Sequence, residues 1–369
     1  MLLLGATGAM GRRAAAELAR SDEVSFLLMA ARNRGSLEGL ARYFGGDGRI
    51  ASAVLDARDE AALADAMAAM DVSVSCAGPG YLLELPSVRA AVRAGTPYVS
   101  LCNDLPALEA VLELAEEARG AGVTVVTGCG LSPGLTNLLV RLAAESLDRV
   151  VEIDVAAAMS STEADGAAAA QHLLRMLGED ARFYSGGRTA NAPTADAPRP
   201  VYFPEPVGWV ETYLFGHPEV ATLGRTFPEL QGARFRLGLT ERAVMDAARG
   251  AGAIGLTRTE DRRRLALKLT RPFTPLLQRL PPRGPTWSAA RVDVHGETGG
   301  RPSTLSLGVA DHLSNLAATT IARAALDIGA GRVTAPGVHP PDAVFDPRSF
   351  LREVAARGVR PARLEPYPV

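Results

Sequence analysis

Met1-Leu-Leu-Leu-Gly-Ala-Thr-Gly-Ala-Met-Gly-Arg-Arg13 opens the chain, and its reading decides the fold. Met1 to Leu4 read as a short buried strand. Gly5, Gly8 and Gly11 recur at every third position, and Arg12 to Arg20 read as helix. A sharp strand-to-helix turn with no Cβ in the way lets a pyrophosphate approach the backbone, and a helix N-terminus offers it free N–H groups and partial positive charge. The spacing G-x-x-G-x-x-G is a relative of the usual dinucleotide fingerprint, and an ordinary tight βα turn is the competing account. In the first account Gly5, Gly8 and Gly11 hold the pyrophosphate. Ala9 lines the same turn, and Thr7 and Met10 add main-chain N–H groups. The leading strand is short for its class.

Outward from this turn, Glu23 to Ala31 is an apolar run of strand length that ends in Arg32-Asn33-Arg34. About 20 positions past the glycines an acidic residue would bind the ribose 2′-OH of NAD, whereas Arg accommodates the 2′-phosphate of NADP. Arg32 stands there with Asn33 beside it, so the cofactor expected is NADP (NADPH). A surface Arg at a strand end is the plainer alternative.

Strand and helix signals keep alternating. Helices are expected at Leu37 to Phe44, Glu60 to Met70, Pro86 to Ala94 and Ala107 to Ala118. Strands are expected at Ile50 to Leu55, Val72 to Cys76, Tyr98 to Leu101 and Val123 to Thr127. Alternation at this spacing predicts a parallel, doubly wound sheet, whose ligands bind beyond the carboxyl ends of its strands. Cys76-Ala77-Gly78-Pro79, Tyr81, Cys102 to Asp104 and Cys129 to Pro133 then surround one crevice, with Ala77 to Pro79 beside the nicotinamide ribose. Ser132 reads as the N-cap of the next helix and Pro133 as its first residue.

From Val150 the pattern changes to strands with fewer helices. Gly186 to Pro206 reads as an extended, Pro-rich loop, Thr240 to Ala251 as helix and Asp261 to Leu280 as an amphipathic segment. A hairpin is expected around Gly299-Gly300, and Leu313 to Ile328 returns to helical spacing. The expected architecture is α/β: a Rossmann-type doubly wound parallel sheet with a second α+β substrate or dimerisation domain. The boundaries are 1–131 for the NADP-binding Rossmann domain, 132–310 for the α+β domain, and 311–369 for a helical segment returning to the first.

The 369 residues suit more than one core. A formal net charge of −2 with 22% charged residues gives no electrostatic case for nucleic acid or an anionic membrane. No apolar run approaches the roughly 20 residues of a membrane span, and Arg12 and Arg13 come too early for a signal peptide, so a cytoplasmic location is expected. The basic residues are nearly all Arg, Lys268 being the only lysine. Three widely spaced cysteines fit neither a disulfide framework nor a zinc site, and no histidine stands in metal-ligand spacing, so no metal is expected.

By Gly130 the sequence resembles the saccharopine dehydrogenase-like family of NAD(P)-dependent oxidoreductases. The resemblance rests on Gly5 to Gly11, on Asp71 to Pro79 leading into Val88-Arg-Ala-Ala-Val-Arg-Ala-Gly-Thr-Pro-Tyr-Val99, on Gly128-Cys-Gly-Leu-Ser-Pro-Gly-Leu-Thr-Asn137, and on the closing stretch from Gly337 to Leu351. It covers about residues 1–145 and 311–355. The middle matches loosely, as in Phe215-Gly-His-Pro-Glu219.

What the resemblance implies is hydride transfer at a carbon–nitrogen centre of an amino acid, imine or polyamine, with a small-molecule substrate and commonly a homodimer. Reduction of an activated C=C or C=O bond, with a carrier-bound substrate, is a second implied activity, and a non-catalytic NADP-binding regulator a third reading. Many members carry Asp where this chain has Ser100.

Hydride transfer asks the protein to position the reactants and to move one proton. The candidates for the proton are Asp104, Tyr98, His217 and Tyr81. Each has a plainer reading: Asp104 as a helix N-cap, Tyr98 as a half-buried strand aromatic, His217 as a loop histidine. Cys76, Cys102 and Cys129 each end a strand and are placed along the cofactor crevice, or else are packed as small hydrophobes.

Overall fold

A computed structural model describes residues 1–44, 48–163, 167–270 and 286–366. The first stretch runs β1 (Leu2–Leu4), α1 (Ala9–Ala19), β2 (Leu27–Ala31), α2 (Arg34–Tyr43), β3 (Ile50–Val54), α3 (Glu60–Met67), β4 (Ser73–Ser75), α4 (Gly80–Ala94), β5 (Tyr98–Ser100), α5 (Leu105–Leu112), α6 (Ala115–Gly120) and β6 (Thr124–Val126). Helix α7 (Leu135–Ala144) leads into β7 (Arg149–Met159), α8 (Ala167–Met176), β8 (Ala181–Ser185), β9 (Arg188–Ala192), β10 (Arg199–Phe203), β11 (Gly208–Phe215), α9 (Pro218–Thr226), β12 (Gly232–Leu239), α10 (Arg242–Ala253) and α11 (Glu260–Thr270). The chain closes with β13 (Ser288–Thr298), β14 (Arg301–Asp311), α12 (Leu313–Gly329), β15 (Gly337–His339), α13 (Pro341–Val344), α14 (Pro347–Ala356) and β16 (Ala362–Leu364).

Two compact units result, Met1–Leu138 with Ser314–Gly358, and Leu139–Leu313 with Val359–Val369. The first holds a seven-stranded sheet in the order β15-β6-β5-β4-β1-β2-β3, every neighbouring pair parallel. This is the doubly wound sheet that the alternation implies. Its strands are short apolar runs buried on both faces, as helices on either side require. Leu2, Leu4, Val88, Tyr98, Val111 and Val125 belong to one continuous core. The seventh strand, β15, comes from the closing stretch and pairs with β6, an addition that three residues between turns did not announce.

In the second unit β7, β11, β12, β13 and β14 form a mixed sheet with the order β10-β11-β12-β7-β13-β14-β16, β8 and β9 adding a side hairpin to β12. All its pairs are antiparallel except β12 with β7. The tail leaves the segment 311–369 to which the sequence assigns it: β16 pairs with β14, and the buried Arg291 donates to the Glu365 carbonyl at 2.9 Å. Other departures are local. Helix α4 begins at Gly80 instead of Pro86 and carries Pro86 in its interior, forgoing one backbone bond. The helix expected over Ala107 to Ala118 is two, and the loop expected over Gly186 to Pro206 contains β9 and β10. The segment expected from Asp261 to Leu280 is helix as far as Thr270, and its remainder lies outside the described residues.

Candidate functional site

The strand order of the first sheet reverses between β1 and β4, the switch point at which doubly wound sheets bind ligands. Gly5 leaves β1 at φ +71°, a conformation that favours glycine, and a Cβ there would lie 2.7 Å from the Ala77 amide nitrogen. A Cβ on Gly11 would lie 2.1 Å from the Gly5 carbonyl oxygen. Two of the three glycines are thus fixed by close backbone approach, one to the end of β4 and one to the turn itself. Gly8 is different: it is exposed and sits as the N-cap of α1 with no side-chain cap bond. No acidic residue lies in the first turn, so Gly8, Ala9 and Met10 offer the helix terminus to an anion while Thr7 stands half-buried beside it.

Arg32 follows β2 directly and is exposed, with no protein hydrogen bond or ion pair among the described residues. Next to it Asp56 is pulled down to about 2 by hydrogen bonds from Arg58, to which the charge of Arg32 adds. Asn33 is otherwise engaged. Its side-chain oxygen accepts from the Ser36 N–H at 2.8 Å and caps α2, so it leaves the ligand to Arg32. This arrangement fits an NADP molecule: a cradle that a Cβ would fill, an uncapped helix terminus and an unengaged guanidinium.

The proton candidates fare differently. Asp104 is buried and caps α5, accepting from the Ala107 N–H at 3.0 Å, which is the plainer of its two readings. Tyr98 is fully buried, and its hydroxyl donates to Glu84 at 3.1 Å, so the phenol is turned into the core and away from a crevice. Tyr81 is half-buried in the first turn of α4. His217 belongs to the second unit, buried with its ring stacked 3.8 Å from Phe235 and its Nδ1 3.1 Å from Glu219. It is an interior group, not a loop histidine.

The three cysteines end their strands as expected. Cys102 and Cys129 are buried, and Cys76 is half-buried beside Ala77, Gly78 and Pro79. Burial pushes the Cys76 thiol up to about 12 and the other two well above the usual thiol range, with the charge of Glu84 adding to both. All three are therefore unreactive thiols at neutral pH.

Sequence reading passed over Glu84. Its buried carboxyl accepts from the hydroxyls of Tyr98, Ser100 and Thr127, tying α4 to the carboxyl ends of β5 and β6. A lone Glu within Tyr81-Leu-Leu-Glu-Leu was the available signal. The carboxylate missing at Ser100 is thereby supplied from a helix, through a hydrogen bond from Ser100 itself.

The Pro133-Gly-Leu-Thr-Asn137 stretch also resolves into contacts. Gly134 has φ +129°, and a Cβ there would lie 2.2 Å from the Gly130 carbonyl oxygen. The helix starts at Leu135, so Ser132 and Pro133 precede it in place of capping and opening it. Asn137 accepts from the Gly134 N–H at 3.1 Å and donates to Asp342 at 2.9 Å, joining this stretch to the closing segment. Among the described residues no helix is long and apolar enough to cross a membrane.

Residues 1–126 match the family model described as the saccharopine dehydrogenase NADP binding domain. A carboxyaminopropylagmatine dehydrogenase of Synechocystis is 24% identical over 276 residues, which cover 71% of this chain and 67% of that protein. A trans-acting enoyl reductase of Mycobacterium tuberculosis is 29% identical over 132 residues, 35% of this chain and 32% of its own length. Among solved structures, apo saccharopine dehydrogenase (L-Glu forming) from Saccharomyces cerevisiae superposes with a TM-score of 0.69 at 16% identity, covering 99% of both chains. Glycine cradle, matched domain and shared fold agree: the chain is saccharopine dehydrogenase-like, and its first 126 residues are that family's NADP-binding domain.

Proposed function

We propose that the chain is an NADP-dependent oxidoreductase that transfers hydride at a carbon–nitrogen centre of a small metabolite, an amino acid, imine or amine. The observation that carries this reading is the glycine cradle at the switch point, with Gly5 packed on Ala77 and the exposed Arg32 at the end of the next strand. The turn from Gly5 to Gly11 would hold the pyrophosphate, Arg32 the 2′-phosphate, and Ala77 to Pro79 the nicotinamide ribose. Bound there, NADP supplies the hydride acceptor or, reduced, the donor. The carbon–nitrogen centre is supported by the relative of greatest coverage, a dehydrogenase whose printed name is that of an aminopropyl-agmatine compound. A homodimer belongs to the same reading.

Cofactor titration tests it. NADPH is expected to bind more tightly than NADH, and Arg32→Ala to weaken NADPH about 10- to 100-fold while leaving NADH unchanged, the loss of a charge-assisted phosphate contact of about 1.5–3 kcal/mol. Tighter binding of NADH overturns the role of Arg32. Oxidation of NADPH by a panel of imines, or its formation from amines and amino acids, tests the centre; turnover of enoyl compounds alone would redirect it to C=C reduction. Sedimentation velocity reads the oligomeric state.

A further inference from the structure

One end of the second sheet collects polar residues from stretches far apart in sequence. Met159 pairs with Leu239, Ala158 with Ala289, and Ser288 with Asp311, so the residues just past β7, β12 and β14 and those just before β13 share one rim. Two carboxylates organise it. Glu241 accepts from the Ser160 hydroxyl and the Ser161 N–H, each at 2.7 Å. Glu163 accepts from the Ser288 hydroxyl at 2.8 Å and the Leu313 N–H at 2.9 Å, and its other oxygen lies 2.5 Å from His312 Nδ1.

This last contact fixes the imidazole. Glu163 already serves as an acceptor to a backbone N–H, which can do nothing but donate, so the ring nitrogen facing the carboxylate carries the proton. The neutral ring then presents Nε2 as a bare acceptor. The side chain of His312 is 53% exposed and that of Glu163 12%, an open base on a sheltered carboxylate. Nε2 has no protein partner among the described residues, and the Trp287 ring stands 5.7 Å from the imidazole. The charged groups around the ring are acidic: Glu163, then Asp311, which accepts the His312 backbone N–H at 2.7 Å, and Glu241 through Ser288 and Ser160. They suit both a cationic amine and a proton arriving on the ring.

We propose that His312, oriented by Glu163, is the proton acceptor for the substrate nitrogen, and its donor in the reverse direction. The assignment rests on the carbon–nitrogen reading above. In the oxidising direction the carbon–hydrogen bond breaks, its electron pair leaving as hydride to NADP. The nitrogen lone pair forms the C=N bond, and the N–H proton of the resulting iminium passes to His312 Nε2, leaving a neutral imine and an imidazolium. Reduction reverses each transfer. The ligand class is a primary or secondary amine, or the imine derived from it.

The test uses the full chain with NADPH and an amine or imine that the wild type turns over. His312→Ala should lower kcat about 100-fold or more, with KM changed no more than a few-fold and NADPH affinity unchanged. Added imidazole should restore part of the rate, which a merely structural role would not allow. His312→Gln, which can keep a hydrogen bond to Glu163, should be as slow as the alanine variant. In the cofactor-free protein, imidazole 15N spectra should show Nδ1 protonated and Nε2 bare, and Glu163→Gln should mix the two tautomers. A wild type inactive on every amine and imine overturns the carbon–nitrogen reading and this assignment with it. An active wild type whose His312→Ala variant keeps more than half of kcat, or gains nothing from imidazole, overturns the assignment alone.

Discussion

Glu84 and Glu163 each accept three hydrogen bonds, yet one is sealed in the first unit and the other sits at the rim of the second. All three donors to Glu84 are hydroxyls, of Tyr98, Ser100 and Thr127, and its side chain is shut into the core. Hydroxyls turn either way, so this pocket can carry the carboxyl charged or neutral. Glu163 has one hydroxyl, one backbone N–H and one imidazole, and the backbone donor permits a single polarity. The contrast separates two uses of a carboxyl group. Glu84 holds three segments together beneath the cofactor crevice, while Glu163 orients a ring that solvent and substrate can reach.

Breaking the sealed site should cost most. Glu84→Ala leaves three buried hydroxyls without their acceptor, and a loss of about 3 kcal/mol in unfolding free energy is expected by urea denaturation. If the change is under about 1 kcal/mol, the hydroxyls satisfy one another and the cluster is not a tie.

The pH dependence sharpens the same contrast. Burial raises the Glu84 carboxyl above its ordinary value of 4.5, with the hydrogen bonds from Ser100, Thr127 and Tyr98 opposing. Above that value the native state binds more protons than the unfolded chain. The contribution to stability is complete below 4.5 and is lost as pH rises through the folded-state value. Glu84→Gln should therefore flatten the fall in melting temperature from acid towards neutral pH. An unchanged profile would show that another group sets it.

The smallest effect on stability is expected at the rim. Glu163→Gln keeps the shape of an acceptor for Ser288 and Leu313 and should shift unfolding by less than about 1 kcal/mol, while slowing turnover. A loss as large as that of Glu84→Ala would make Glu163 a structural group and erase the distinction.

How much of this was readable beforehand follows the range of each interaction. The glycine turn, the Arg at the end of β2 and the alternation into a parallel sheet are local patterns, and the model has the same sheet order and the same cradle. Roles for single side chains were harder. Asp104 and Asn33 have residue types suited equally to a ligand or to a helix cap, and both cap the next helix. Tyr98 looked half-buried from alternation, but a strand covered by helices on both faces has no open side. Glu84 gave little signal because its three partners lie on two strands that follow it. His312 and Glu163 are 149 positions apart, beyond any motif.

By itself the sequence determined the phosphate-binding turn, because steric demands on Gly5 and Gly11 act within a few residues and admit almost no other side chain. The tertiary structure alone decided which carboxylates meet which hydroxyls and which imidazole is left with an open nitrogen. Strand register brings those groups together, and it is set by packing over whole sheets, where no short stretch of sequence carries the pairing.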